Sequence, residues 1–195
     1  MRIIAGEFRS RTLLAPKGMD TRPTLDRTRE SLFNIIAADC SDARVLDLYA
    51  GSGALALEAL SRGAVSAVLC DKSREAARAI AANIASLKVE DRARLMAMSD
   101  QQAVRTLEQE RAEFDLVFLD PPYRMDTVPA CRMLEEAGVL LDDALVVIEH
   151  SAESVPEPPE CFRLTDRRRY RDTMISFYRY EEEKDGQTVG VSRQL

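Results

Sequence analysis

At 195 residues with 46% hydrophobic content, the chain can bury one sizeable core, and it contains no uncharged apolar run of the roughly 18 residues that a membrane-spanning helix needs. Arg2 is followed by only a few apolar residues before Glu7, so no secretory leader is expected and the expected location is the cytoplasm. The net charge of −6 is unevenly spread: residues 1–29 and 163–171 each carry a balance of +4, leaving −14 for the rest, which suits an acidic body that meets a polyanion at one face.

In chain order, Arg2–Ala5 and Arg11–Leu14 are β-prone pieces around Gly6, and they predict a small hairpin carrying Arg9 and Arg11. Pro16, Gly18 and Pro23 mark a loop. Thr24 then reads as the N-cap of a helix, with Asp26 in its first turn and Leu25, Leu32, Phe33 and Ile36 at helical spacing, ending near Asp39. From Val45 the pattern alternates: strand Val45–Tyr49, helix Ala54–Arg62, strand Ala67–Cys70, a helix capped by Ser73 and running to Leu87, strand Arg94–Met98, and a helix near Gln101–Glu110. Strand Asp115–Leu119, a helix near Val128–Ala137 and strand Leu145–Ile148 complete the alternation. Strands this apolar between helices predict a parallel sheet covered on both faces. Cys161–Thr165 and Thr173–Tyr180 follow with no helix between them and predict a hairpin closing one edge. The tail from Glu181 has the composition of a disordered segment. Cys40, Cys70, Cys131 and Cys161 are scattered without a CxxC pair and His150 is the one histidine, so the cysteines read as small buried thiols and no metal is expected.

Two constellations carry chemistry. In the first, Asp47 ends a strand and Gly51-Ser52-Gly53 opens a helix, so the backbone can turn sharply and approach a ligand. Asp71 ends the next strand, where an acidic side chain can accept from both hydroxyls of a ribose. With Ala56 at the third glycine position, this pattern fits a nicotinamide-dependent enzyme and fits an S-adenosylmethionine enzyme equally. The second constellation, Asp120-Pro121-Pro122-Tyr123, separates the two. It sits at the C-terminal end of an apolar strand, where open parallel sheets bind ligands. Asp120 and the Pro121 carbonyl are two acceptors for the two hydrogens of an exocyclic NH₂, the prolines stiffen the backbone, and Tyr123 offers a face on which a base can stack. An aromatic amine is a poor nucleophile because its lone pair is delocalised. Holding both hydrogens aims that lone pair at an electrophilic methyl group, so positioning and electrostatics supply the rate.

These motifs, with Arg2-Ile3-Ile4-Ala5-Gly6, Thr21-Arg22-Pro23-Thr24, Asp26-Arg27, Arg29-Glu30, Leu32-Phe33-Asn34, Leu46–Leu55, Leu57–Ala64 and Phe114–Tyr123, resemble the RsmD-type family of 16S ribosomal RNA guanine-N2 methyltransferases over residues 1–180. The block Thr21–Asn34 is the most specific part of the likeness. The resemblance implies a Rossmann-like α/β fold with a seven-stranded, mostly parallel sheet whose last strand is antiparallel. It implies S-adenosylmethionine as cofactor and one guanine amine of 16S rRNA as substrate; the acidic body with basic ends favours an assembling small ribosomal subunit as the form that presents the base. Residues 1–40 become an N-terminal hairpin-and-helix extension, 41–181 the methyltransferase domain and 182–195 a disordered tail. Asp47, Gly51 and Gly53 would hold the methionine end of the cofactor, with Thr24, Tyr49 and Ser52 in the same set; Asp71 would take the ribose, and Ser99 and Asp100 would approach the adenine. Asp120, Pro121, Pro122 and Tyr123 would hold the guanine, with Arg22, Thr24 and Arg27 lining that pocket. The expected RNA contacts are Arg9, Arg11, Arg22, Arg27, Arg167, Arg168 and Arg169. Ala56, Asp71 and Arg171 stand where the family often has glycine, glutamate and glycine; Arg171 bears on the RNA-facing role of 167–171. The competing readings are a DNA adenine-N6 methyltransferase, a nicotinamide-dependent oxidoreductase and a non-catalytic RNA-binding protein; the chain has no sizeable target-recognition domain of the kind a DNA enzyme would use. No membrane partner is expected, His150 reads as a local hydrogen-bonder, and nothing in the sequence specifies an oligomeric state.

Overall fold

A computed structural model describes residues 1–16, 23–122, 125–171 and 173–182, with the side chains of 23–26 excepted. Arg22, Tyr123, the side chain of Thr24 and the tail beyond Glu182 therefore lie outside the described residues. The strands are β1 (Arg44–Asp47), β2 (Ser66–Cys70), β3 (Ala93–Met96), β4 (Phe114–Leu119), β5 (Leu140–Ser151), β6 (Phe162–Tyr170) and β7 (Thr173–Tyr180). They form one sheet in the order β3-β2-β1-β4-β5-β7-β6. β1 to β5 pair in parallel, whereas β7 runs antiparallel to β5 and β6 antiparallel to β7. This is the seven-stranded Rossmann-like sheet that the sequence predicts. The parallel strands are apolar on both faces because helices cover both. Val45, Leu116, Phe118, Leu145 and Val147 join one core and Leu46, Val117, Leu119, Val146 and Ile148 the other.

The helices are α1 (Pro23–Ile35), α2 (Ala54–Ser61), α3 (Arg74–Leu87), α4 (Asp100–Gln109) and α5 (Val128–Glu136). Ser73 caps α3 by accepting from the Ala76 amide, as its position predicts, and Ser99 with Gln102 forms a reciprocal capping box on α4. Among the described residues no helix is long and apolar enough to cross a membrane.

Four expectations need correction. Thr24 is not an N-cap: α1 begins at Pro23, since proline's missing N–H costs nothing in the first turn. The same helix stops at Ile35, and a 3₁₀ turn (Ala38–Cys40) redirects the chain into β1. Asp39 is held there by Arg179 of β7 at 2.5 Å. β5 reaches from Leu140 to Ser151 rather than from Leu145 to Ile148, because β7 pairs with it through Ser151 and carries the ladder past the apolar run. β6 likewise continues through the arginines to Tyr170, paired on one side only; charge on such an edge blocks further strand addition.

At the N-terminus the expected hairpin forms, in a short version. Arg2 bridges Thr12, the Ile3 amide donates to the Arg11 carbonyl and the Leu13 amide to the Met1 carbonyl at 3.0 Å each, and the segment between is sewn onto α2. Glu58, with no exposed side-chain surface, accepts from the Ile4 and Ala5 amides at 2.7 and 3.1 Å and pairs with Arg62 at 2.8 Å. Ser61 accepts from the Phe8 amide at 2.9 Å, and Asn83 brackets both main-chain polar groups of Leu14. Gly6 is required by this contact, since a Cβ there would lie 1.7 Å from the Ser61 carbonyl oxygen. Replacing Glu58 with alanine leaves two amides and a guanidinium uncompensated. Urea unfolding of Glu58→Ala should show a loss of roughly 2–4 kcal/mol and faster proteolytic cleavage around residues 6–11. An unchanged midpoint would remove Glu58 as the anchor.

Candidate cofactor and amine site

The C-terminal ends of β1, β2 and β4 meet at the glycine loop. The Leu48 amide still reaches the Phe118 carbonyl at 3.2 Å and the Ala50 amide the Cys70 carbonyl at 2.9 Å, so the loop leaves the sheet under control from both neighbours. Gly51 and Gly53 then take positive φ of 55° and 79°. At Gly53 a Cβ would also meet Leu69 Cδ2 at 2.8 Å, so backbone and packing both demand glycine there. Asp71 organises the loop from β2: its carboxylate accepts from the Gly51 amide at 2.9 Å and the Ser73 amide at 2.8 Å. Tyr49 donates to Asp100 Oδ2 at 2.8 Å, which places the end of β1 beside the start of α4. The Ser99 hydroxyl is used in the α4 cap, and the Ser52 hydroxyl faces the Met1 sulfur at 3.3 Å.

Asp47 is the unusual member. It is 1% exposed, and neither carboxylate oxygen has a hydrogen-bond partner among the described residues. Burial pushes its carboxyl up to about 8, and the charges of Asp120 and Asp71 push the same way. The Ala56 and Tyr49 amides oppose this from beyond good hydrogen-bond geometry. A buried acid without a partner is costly unless a cation or donor arrives.

Across the loop stands the end of β4. Leu119 pairs with Ile148, so the next residues, Asp120 and Glu149, emerge side by side from neighbouring strands. Both line a cavity of about 230 Å³ with Pro121, Pro122, Met125 and His150. Asp120 is exposed at the cleft, and desolvation by the surrounding protein raises its carboxyl to about 6. Glu149 is pushed to about 8, first by burial and then by Asp120. Sequence reasoning passed over Glu149; its signal was its place at the end of the strand next to that of Asp120. His150 is engaged at both nitrogens, Nδ1 with the Ser151 carbonyl at 2.9 Å and Nε2 with Ser176 Oγ at 2.8 Å. The carbonyl can only accept, so Nδ1 carries the hydrogen and Nε2 accepts from Ser176. Burial, then the charge of Arg167, lowers the His150 pKa.

The predicted RNA-facing arginines divide. Arg27 lies between two open grooves, one of about 630 Å³ bounded by Arg168, Arg169 and Tyr170 and one of about 460 Å³ bounded by Arg2 and Arg9. Arg11 binds the Ser86 carbonyl at 2.7 Å, away from both. Arg167 donates to Ser176 Oγ at 2.9 Å and is half-buried.

Fold and site together define a Rossmann-like α/β protein with a glycine loop beside a strand-end carboxylate pair. The chain belongs to the family described as Conserved hypothetical protein 95, whose sequence model matches residues 1–179. It is 37% identical over 190 residues to Ribosomal RNA small subunit methyltransferase D of Escherichia coli strain K12, covering 96% of this chain and 93% of that one. The solved Escherichia coli protein yhhF superposes with a TM-score of 0.83 at 36% identity, over 93% of this chain and 98% of that chain. SMU.776, solved in complex with SAH, shares the fold at a TM-score of 0.66 and 14% identity, over 88% of this chain and 52% of that one.

The raised acid at position 47 has a thermodynamic consequence. A carboxyl at about 8 in the fold and about 4 when unfolded contributes stability that is fully present below pH 4 and lost as pH rises through 8. Asp47→Asn escapes that loss. Its advantage over the parent in urea unfolding should grow from near zero at pH 4 to roughly 2–4 kcal/mol at pH 9. A difference independent of pH would contradict the assignment.

Proposed function

We propose that this protein transfers a methyl group from S-adenosylmethionine to the exocyclic N2 amine of one guanine in 16S ribosomal RNA. The observation that carries the reading is the placement of Asp120 beside the glycine loop: Asp47 pairs in register with Phe118, and Asp120 leaves the same neighbouring strand two residues further on. The residues present fit the cofactor. Gly51 and Gly53 leave no side chain between backbone and ligand, and Asp47 is a buried carboxyl with no partner among the described residues, one that an ammonium group would ionise and pair. Asp71 keeps further lone pairs for ribose hydroxyls beyond the two amides it serves. When bound, S-adenosylmethionine supplies an electrophilic methyl group on a cationic sulfonium.

The chain's own residues then hold and aim the amine. Asp120 accepts one N–H and the Pro121 carbonyl the other, with Tyr123 as the stacking face, so the nitrogen lone pair is directed at the methyl carbon. After transfer the amine is a strong acid, and Asp120 already sits against its proton. His150 has no part in this, because both its nitrogens are occupied. The grooves around Arg27, with Arg9, Arg168 and Arg169, supply the cationic approach for RNA, and residues 1–40 act as the extension that carries part of it. The overall acidity favours a protein-bearing particle, the assembling small subunit, as the form in which the base is presented. The name of the Escherichia coli relative supports ribosomal RNA over DNA as substrate.

Labelled S-adenosylmethionine offered with assembling subunits, small-subunit RNA and DNA tests the proposal. N2-methylguanosine should appear in the RNA; label confined to DNA would overturn the reading. Asp120→Ala should keep the thermal shift produced by S-adenosylmethionine while turnover falls at least a hundredfold, in the range of about 10²–10³ seen when a positioned polar group is removed. Near-normal turnover would take Asp120 out of the mechanism. Arg27→Ala combined with Arg168→Ala should weaken RNA binding whatever the target sequence and reduce the slope of log affinity against log salt by about 2. An unchanged slope would move the RNA path elsewhere.

A further inference from the structure

Glu149 has no part in the amine chemistry just described, yet it shares the pocket with Asp120. The two residues leave adjacent parallel strands at the same level, one step beyond the Leu119–Ile148 pair, so their side chains start on the same face of the sheet. Both line the same 230 Å³ cavity, and each is turned toward a space the size of part of a base rather than toward a counter-ion. No arginine or lysine lines that cavity among the described residues; its polar lining is Asp120, Glu149, His150, Ser151, Ser154 and Thr173. On β7 the residue opposite Glu149 is the apolar Ile175. The nearest charged side chain across the sheet in register is Arg168 on β6, one strand further and paired with Asp166 at 2.8 Å. The His150 ring, bound to Ser176, does not compensate Glu149 either.

Two carboxylates side by side make an unusual receptor, one that asks for several hydrogen-bond donors in a row. The Watson–Crick edge of guanine offers that set, with both hydrogens of the N2 amine next to N1–H. Adenine offers donors only on N6, beside an N1 lone pair that a carboxylate repels. We infer that Glu149 is a specificity-determining residue of the amine pocket, accepting from guanine N1–H while Asp120 accepts from the N2 amine. The inference rests on the guanine reading above. Burial raises both carboxyls and the charge of Asp120 raises Glu149 further, a state that incoming donors relieve.

The analogue 2-aminopurine separates this role from a structural one. It carries the same 2-amine but has an N1 lone pair where guanine has N1–H. The wild-type protein is first used to locate the methylated guanine, and 2-aminopurine is then placed at that position in small-subunit RNA assembled into particles. Wild-type protein should prefer guanine by about a hundredfold or more in kcat/KM, the order expected when a site built to receive an N–H meets an analogue without it. Glu149→Gln, which can donate to the N1 lone pair, should lose about tenfold or more on guanine and hold or gain on 2-aminopurine, so the ratio collapses. Retention of the thermal shift by S-adenosylmethionine confirms that the variant is folded, and Glu149→Asp should restore part of the preference for guanine. An unchanged ratio in Glu149→Gln overturns the assignment of Glu149 alone. Failure of the wild-type protein to methylate any guanine amine overturns the functional reading, and this inference with it.

Discussion

Glu58 sits in the middle of α2 with none of its side chain exposed, and it serves two main-chain amides and one guanidinium at once. An uncompensated carboxylate there would be prohibitively costly, so the N-terminal segment and Arg62 are both obliged to stay. Arg62 in turn lies over the Phe33 ring at 5.1 Å, and Phe33 packs on Phe118 of β4 at 5.9 Å. One buried charge therefore ties together α2, the N-terminal segment, α1 and the strand that ends in Asp120. Because Gly53 also caps α2, the element that follows the glycine loop is the one that anchors the N-terminal segment. The two halves of the site share one foundation.

The alternating core was legible because its signals are local. Ser73 before an alanine-rich run, glycines at a strand-to-helix bend, and the β-branched and aromatic run Thr173–Tyr180 each specify their element without reference to the rest of the chain. What escaped was set by partners. β5 continues through Glu149, His150 and Ser151 because β7 is there to pair with them, and β6 runs through three consecutive arginines for the same reason. The N-terminal hairpin formed as its β-prone pieces suggested, but the acceptors on α2 that take the Ile4, Ala5 and Phe8 amides of its connecting segment could not be foreseen from the pattern. At the site, Asp47, Asp71 and Asp120 could be read from spacing. Glu149 could not, since its neighbour in space lies 29 positions away and only the parallel register of β4 and β5 brings them together.

The arginine cluster shows the same limit in a different form. As a run of letters, Arg167, Arg168 and Arg169 are equivalent. On a strand they are not: alternation separates Arg167 from Arg168, and different partners separate Arg167 from Arg169. Arg167 spends its Nε on Ser176, whose hydroxyl in turn donates to His150, so a residue that counts toward surface charge acts as an internal strut. Arg168 and Arg169 remain at the groove beside α1, where Ser31 and Tyr170 join helix to strand at 2.7 Å.

The concentration of acids at the sheet edge also makes ligand capture a proton-exchange event. Burial first, and then the charge of Asp120, raises the carboxyls of Asp47 and Glu149 to about 8, and burial raises that of Asp120 to about 6. A cationic ligand entering between them shifts all three toward ionisation, and the displaced protons go to solvent. Binding heat will therefore contain a contribution from whatever buffer receives them, and affinity for a cation will rise with pH across the neutral range. The protein reaches its donor already loaded, and its grip tightens as that load is released.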